Sequence, residues 1–200
     1  VERKEYSAGM VKLSFWFTEF RKVIQLFNSG KTMEEIRILN IKENIFSAPT
    51  TARSIQIFNT VLARVNSLDA TFCKLFEKSD ISTQKIIALI AVMNADSLFF
   101  DFVYEVFREK LIIGSNRLSD SDIRIFFRNK QLQSEKVAGW QDYTLKRLGS
   151  CYKTMLMEAG VTDRASGDRE ILKPILDFTL IDCLKNNNME LFIHALTGVR

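Results

Sequence analysis

The stretch from Ile86 to Phe107 constrains this chain more than any other. It is apolar nearly all the way round a helix, with Phe99, Phe100, Phe102, Val103, Val106 and Phe107 in its second half. A helix without a polar face has to be surrounded, either by lipid or by other helices. Its longest uncharged run, Ile86 to Ala95, is too short to span a bilayer, and Asp96, Asp101 and Glu105 follow. An aspartate at a bilayer centre costs roughly 2.5 to 3.5 kcal/mol on insertion scales. The stretch is therefore predicted to be a core helix, broken near Asn94 to Asp96, with the other helices wrapped round it.

The remaining sequence supplies those helices. At 200 residues the chain is long enough for one large core. Two prolines and eight glycines leave few places to break a helix. Leu13, Trp16, Phe17, Phe20, Ile24 and Phe27 recur at helical spacing before Gly30. Thr32 with Glu35 has capping-box spacing and predicts a helix to about Asn40. Pro49 suits the first turn of a third helix bearing Ile55, Phe58, Leu62 and Val65, and Phe72, Leu75 and Phe76 mark a short fourth. The turn-rich stretch Gly114 to Ser119 divides an N-terminal helical bundle, residues 1–113, from a C-terminal helical part, residues 114–200, and the two are expected to pack as one unit.

In the second part, Ser119 with Asp122 reads as an N-cap and first-turn acid for a helix ending near Lys130. A mostly polar interval, residues 131–138, follows. Gly139 and Trp140 then open a helix reaching Ala159, closed by Gly160. Asp163 to Lys173 is a candidate hairpin, Pro174 is expected to start a helix to Lys185, and Met189 to Leu196 makes the last. The fold class is all-α, a multi-helix globular bundle whose C-terminal part has a possible winged helix-turn-helix and a small β-hairpin.

Motifs that carry chemistry are missing. The single histidine, His194, lies in an apolar C-terminal helix, so no nucleophile with a histidine base is visible. There is no GxxxxGK[ST] loop and no GxGxxG after a strand. Cys73, Cys151 and Cys183 are odd in number and widely spaced, which predicts neither a zinc site nor a disulfide framework but reduced thiols. Catalysis, a metal and a cofactor are not expected. No signal-peptide pattern is seen, and the expected location is cytoplasmic, with no membrane partner.

Binding is the function that remains, and charge says where to look. Residues 116–153 carry eight cations against four anions, the first 66 residues ten against six, and residues 67–112 five against seven. The order helix, turn, longer helix, charged hairpin from Ser119 to Lys173 is that of a winged helix-turn-helix, whose second helix enters the major groove. On the helix from Trp140 to Ala159, Leu145, Leu148, Tyr152, Met155 and Ala159 form an inward face. Tyr143, Lys146, Arg147, Ser150, Lys153 and Thr154 fall on the outer one, with Arg164 and Arg169 in the hairpin as candidate wing cations. These eight are the candidate DNA contacts, through phosphates and base edges. The competing location is the amino-terminal basic region, where Lys12, Arg21, Lys22, Arg53 and Arg64 offer similar charge. The bland reading of either set is an amphipathic helix showing cations to water.

The run KENIFSAPTTARSIQIFNTVLARVNSLD (Lys42 to Asp69), the block DFVYEVFREKL (Asp101 to Leu111) and the segments LSDSDIRIFFRNK and WQDYTLKRLGSCYKTMLMEAGV (within Leu118 to Val161) resemble the BrxA family of bacteriophage exclusion (BREX) defence systems. The resemblance extends from about Tyr6 to Leu196 and rests on pattern and order rather than on a catalytic motif. It implies a helical fold similar to NusB-type antitermination proteins and a non-enzymatic, double-stranded DNA-binding role. It also implies work beside a DNA methyltransferase, ATPases and a phosphatase-like protein in antiviral defence. No DNA-contacting residue is carried over from the family. The alternative is a helical scaffold that recruits other defence components without touching DNA.

Overall fold

The computed structural model describes residues 4–199. Its helices are α1 (Phe17–Asn28), α2 (Met33–Glu43), α3 (Thr51–Val65), α4 (Ala70–Lys78), α5 (Ile81–Ala95), α6 (Ser97–Phe102), α7 (Arg108–Ile112), α8 (Asp120–Gln133), α9 (Glu135–Ala138), α10 (Asp142–Glu158), α11 (Phe178–Asn186) and α12 (Glu190–Thr197). A 3₁₀ turn, Gly9–Lys12, precedes α1, and a π-helical turn, Val103–Phe107, joins α6 to α7. Strands β1 (Arg117–Leu118) and β2 (Arg169–Glu170) pair antiparallel. The chain is all-α apart from this small sheet, as its periodicity predicts.

The apolar stretch breaks where expected. Asp96 ends α5 with its backbone N–H on the Val92 carbonyl, and its carboxylate accepts from the Phe99 N–H at 2.9 Å to cap α6. The axes before and after it differ by 115°. No single helix among the described residues is long and apolar enough to cross a membrane; only the two helices of this bent pair, taken together, reach that length and apolarity. Ile86 to Met93 are buried on every side, and α3, α4, α1 and α10 pack against α5. The π-helical turn receives α12 and α8, with Phe192 edge-on to Phe100 at 5.1 Å. Elements from both halves of the chain thus share one core.

The charges in the apolar stretch also find partners. Lys130 of α8 is buried, and its ammonium lies 3.0 Å from Asp101 and 2.6 Å from Glu105. Burial alone would lower its pKa, but the Glu105 and Asp101 carboxylates outweigh this and raise it. The Tyr6 hydroxyl donates to Asp101 at 2.5 Å, so the amino-terminal segment is tied to the same cluster. Lys130 therefore does not belong to the surface charge.

Four boundaries differ from the sequence expectation, each for an identifiable physical reason. Helix α1 starts at Phe17 rather than Leu13, because Arg64 is buried and donates to the Phe15 carbonyl at 2.5 Å and that of Ser14 at 2.9 Å. Those carbonyls are taken, and Trp16 turns the chain in a left-handed conformation. Helix α3 is capped by Thr50, leaving Pro49 one residue outside. The polar interval after Lys130 completes α8 and, capped by Ser134, makes α9, whose Val137 is buried, so α10 begins at Asp142. Pro174 does not begin a helix: the Leu172 N–H is held by the Val161 carbonyl at 2.9 Å, and α11 starts behind the Asp177 cap.

Burial raises the Asp96 carboxyl above its ordinary range, so ionising it costs the fold increasingly as pH climbs past about 4. Asp96→Asn keeps a capping oxygen without the charge and is expected to be neutral or stabilising at pH 7. Asp96→Ala loses the cap and is expected to cost about 1 kcal/mol. Urea unfolding of both variants checks this, and equal destabilisation by the two would count against the capping role.

Candidate nucleic-acid interface

Helix α10 is anchored by one face and open on the other. Leu145, Leu148, Tyr152, Met155 and Ala159 are buried, and the Tyr152 ring lies 4.9 Å from Phe99, 5.2 Å from Phe102 and 5.6 Å from Phe127. Gly149 permits the close approach to α8, since a Cβ there would sit 3.0 Å from the Ile123 methyl and 3.6 Å from the Phe127 ring. Gly160, at φ +79°, ends the helix in a conformation that suits glycine.

The hairpin forms and gains a further strand. Residues 169–172 pair on one side with 161–163, through the Thr162–Ile171 bridge and the Asp163 N–H to Glu170 carbonyl bond of 3.1 Å. On the other side Arg117 opposes Glu170, Leu118 opposes Arg169, and the Ile171 N–H reaches the Asn116 carbonyl at 2.7 Å. The turn-rich stretch before α8 thus tethers the hairpin to the start of that helix.

The eight residues singled out by sequence do not all face outward. Tyr143, Lys146, Arg147 and Ser150 are exposed on α10, and Lys153 and Thr154 are half-buried. The Arg147 guanidinium lies 5.9 Å from the Tyr143 ring and donates to its hydroxyl at 3.3 Å and to the Val11 carbonyl at 3.2 Å. The Ser150 and Thr154 hydroxyls donate back to the carbonyls of Lys146 and Ser150 and so present lone pairs outward. Arg164 is exposed beside Asp163, at 2.6 Å.

Lys153 and Arg169 turn inward, contrary to the expectation of free surface cations. Asp120, the first residue of α8, accepts from Arg169 at 2.6 Å and from Lys153 at 3.1 Å. Arg169 is fully buried and also donates to the Leu118 carbonyl at 3.2 Å and to that of Gly167. One carboxylate therefore joins α8, α10 and the hairpin. The Arg169 hydrogen bond, aided by Lys153, holds the Asp120 carboxyl below its ordinary range. In the sequence Asp120 is one of the four anions of the basic segment, and its place next to the Ser119 cap is visible there, whereas its long-range partners are not.

Surface charge narrows accordingly. Of the basic segment's cations, Lys130 is buried, while Arg117, Lys136 and Lys153 hold the carboxylates of Asp168, Glu5 and Asp120. Arg124, Arg128, Lys146 and Arg147 remain exposed, on α8 and α10. In the amino-terminal region Arg64 is buried, its pKa pushed down to about 10 by desolvation, and Lys22 donates to the Ile45 carbonyl at 2.7 Å.

A groove flanks α10 on either side. That towards α8, about 580 Å³, has Ile123, Phe127 and Leu145 in its walls, with Arg124, Arg128, Lys146 and Lys153 alongside Asp120 and Asp142. That towards the amino-terminal segment, about 740 Å³, is lined by residues 11–15, by Arg53 and Gln56 of α3, and by Tyr143, Arg147, Ser150, Cys151, Thr154 and Met155. The competing basic regions therefore meet across the second groove. No group of three or more His, Cys, Asp or Glu that could hold a metal occurs among the described residues.

The architecture defines an all-α protein with a small sheet docked beside its longest helix. It is similar to the crystal structure of an uncharacterized protein from Magnetospirillum magneticum, with a TM-score of 0.79 over 98% of this chain and 100% of that one, at 17% sequence identity. At that identity the likeness is one of fold. The BrxA family model matches residues 4–188, and the BREX protein BrxA of Bacillus cereus (strain H3081.97) is 37% identical over 198 residues, 99% of each chain. The chain belongs to the BrxA family.

The Asp120 clamp predicts acid sensitivity. A carboxyl held below its ordinary range in the fold gives stability that is present above about pH 4, its unfolded pKa, and is lost as pH falls through the lower folded value. Asp120→Asn leaves the buried Arg169 without its counter-charge and is expected to cost on the order of 2 kcal/mol at pH 7. Denaturant unfolding at pH 7 and pH 3 measures both, and the variant's deficit should shrink at the lower pH. A deficit that is the same at both would show that the charge of Asp120 does not carry the effect.

Proposed function

We propose that this protein is a non-catalytic, double-stranded DNA-binding component of a bacteriophage exclusion system, and that it contacts DNA through the outer face of α10. The observation that carries this reading is the pair Lys146 and Arg147, exposed and without carboxylate partners among the described residues, on a helix whose opposite face is locked into the core. Arg124 and Arg128 extend the same charge along α8. Cations held on a rigid element neutralise phosphates and release counterions, which gives affinity without sequence preference.

The order β1, α8, α9, α10, hairpin supports a winged helix-turn-helix reading, with α10 as the helix that enters the major groove. Tyr143, Ser150 and Thr154 then lie between the cations, their hydroxyl lone pairs suited to amino groups on base edges. Arg164 serves as the wing cation. Arg169 and Lys153 act through Asp120 to hold the helix and hairpin in place. Family membership supports the antiviral setting and partnership with other proteins of the system.

A second reading, an adaptor that recruits those proteins, draws on the exposed apolar side chains of Ile175 and Phe178, 94% and 74% accessible. DNA titration separates the two. Lys146→Ala with Arg147→Ala is expected to weaken binding to all duplexes alike and to reduce the slope of log K against log salt by up to about 1.8. Stability should change by no more than about 0.5 kcal/mol per site. If this variant binds duplex with unchanged affinity while removing charge at Arg21 and Lys22 abolishes binding, the contact belongs to the first helices.

A further inference from the structure

The groove between the amino-terminal segment and α10 differs in chemistry from its neighbour. Lys12, Arg53 and Arg147 reach it from three separate elements, and no carboxylate lines it, whereas the groove on the α8 side contains Asp120 and Asp142. None of the three cations makes an ion pair among the described residues. Like charges gathered around a concave surface without a counter-charge raise its potential and draw an anion in. Arg53 is held in place, its guanidinium 5.0 Å from the Trp16 ring and bonded to Gln56 at 2.8 Å. Arg147 is likewise fixed on the Val11 carbonyl. Two guanidinium groups positioned in advance, with a lysine beside them, match the oxygens of a phosphate. Tyr143, 65% exposed at the rim, adds an aromatic face of the kind on which a base stacks. At about 740 Å³ the groove has room for a ligand of nucleotide size.

We infer that this groove is a nucleotide-phosphate site, in which Lys12, Arg53 and Arg147 take the phosphate and Tyr143 the base, whether the nucleotide is free or part of a nucleic-acid strand. The inference shares Arg147 and Tyr143 with the DNA-contact reading but depends on Lys12 and Arg53, which that reading does not use.

Calorimetric titration of the full chain with adenosine monophosphate, pyrophosphate, a single-stranded oligonucleotide and a duplex provides the test. Both small anions are expected to bind. Lys12→Ala with Arg53→Gln should weaken each at least tenfold, Tyr143→Ala should weaken adenosine monophosphate more than pyrophosphate, and Lys185→Ala on α11 should change neither. Should the Arg53 variant lose its helical circular dichroism, Lys12→Ala with Arg147→Gln, at two exposed side chains, reads the same site. Displacement of adenosine monophosphate by the oligonucleotide assigns the site to a strand, and failure to displace it assigns the site to a free nucleotide; both support the groove. No binding of either small anion, or unchanged binding by the folded variants, overturns it. Small-anion binding without duplex binding would leave this site standing and remove the DNA-contact reading, and duplex binding without small-anion binding would do the reverse.

Discussion

Asp96 settles how the most apolar part of the chain is covered. Its backbone closes α5, its carboxylate opens α6, and the 115° change of direction between them turns one long apolar stretch into two short helices. Helices α1, α3, α4 and α10 pack against the first half, and α8 and α12 against the second. The acids of the second half are accommodated in the same way. Asp101 and Glu105 converge on Lys130, and the π-helical turn lies where α8 delivers that ammonium. A buried ion cluster of this kind is weak evidence of net stability. It does fix which turn of α8 faces which turn of the central helix.

That placement of α8 governs the surface. Asp120, at the start of α8, gathers Arg169 from the hairpin and Lys153 from α10, so one carboxylate links the three elements. Gly149 sets the separation between α8 and α10. The cations left for solvent are those whose neighbours do not need them for the fold. Around α10 these are Arg124 and Arg128 on α8, Lys146 and Arg147 on α10 and, across the amino-terminal groove, Lys12, with the half-buried Arg53 beside it. The DNA-contact and nucleotide-phosphate proposals both rest on this separation between cations that hold the fold and cations that do not.

Much of the fold was legible in the sequence because its signals are local. The Thr32–Glu35 box, the Ser119–Asp122 cap, Gly160 and the inward face of α10 each depend on residues a turn or two apart, and each occurs as expected. The failures involve long-range partners. Arg64 holds the Ser14 and Phe15 carbonyls from 49 residues away or more, which no periodicity in residues 13–27 reveals. Lys130, Lys153 and Arg169 look like surface cations in a helical or hairpin pattern, and only the packing shows that each is spent on a carboxylate. The two basic regions read as rivals along the chain, yet the fold brings Arg53 and Arg147 to the same groove.

The central proposal is that the outer face of α10 is the DNA-contact surface, and lysine footprinting tests it most directly. Reductive methylation of the folded protein, with and without saturating duplex, reports each ammonium separately by mass spectrometry. The account predicts that duplex shields Lys146 while Lys74 on α4 and Lys185 on α11, both exposed, react as before. Shielding of Lys74 and Lys185 with Lys146 unchanged would contradict it.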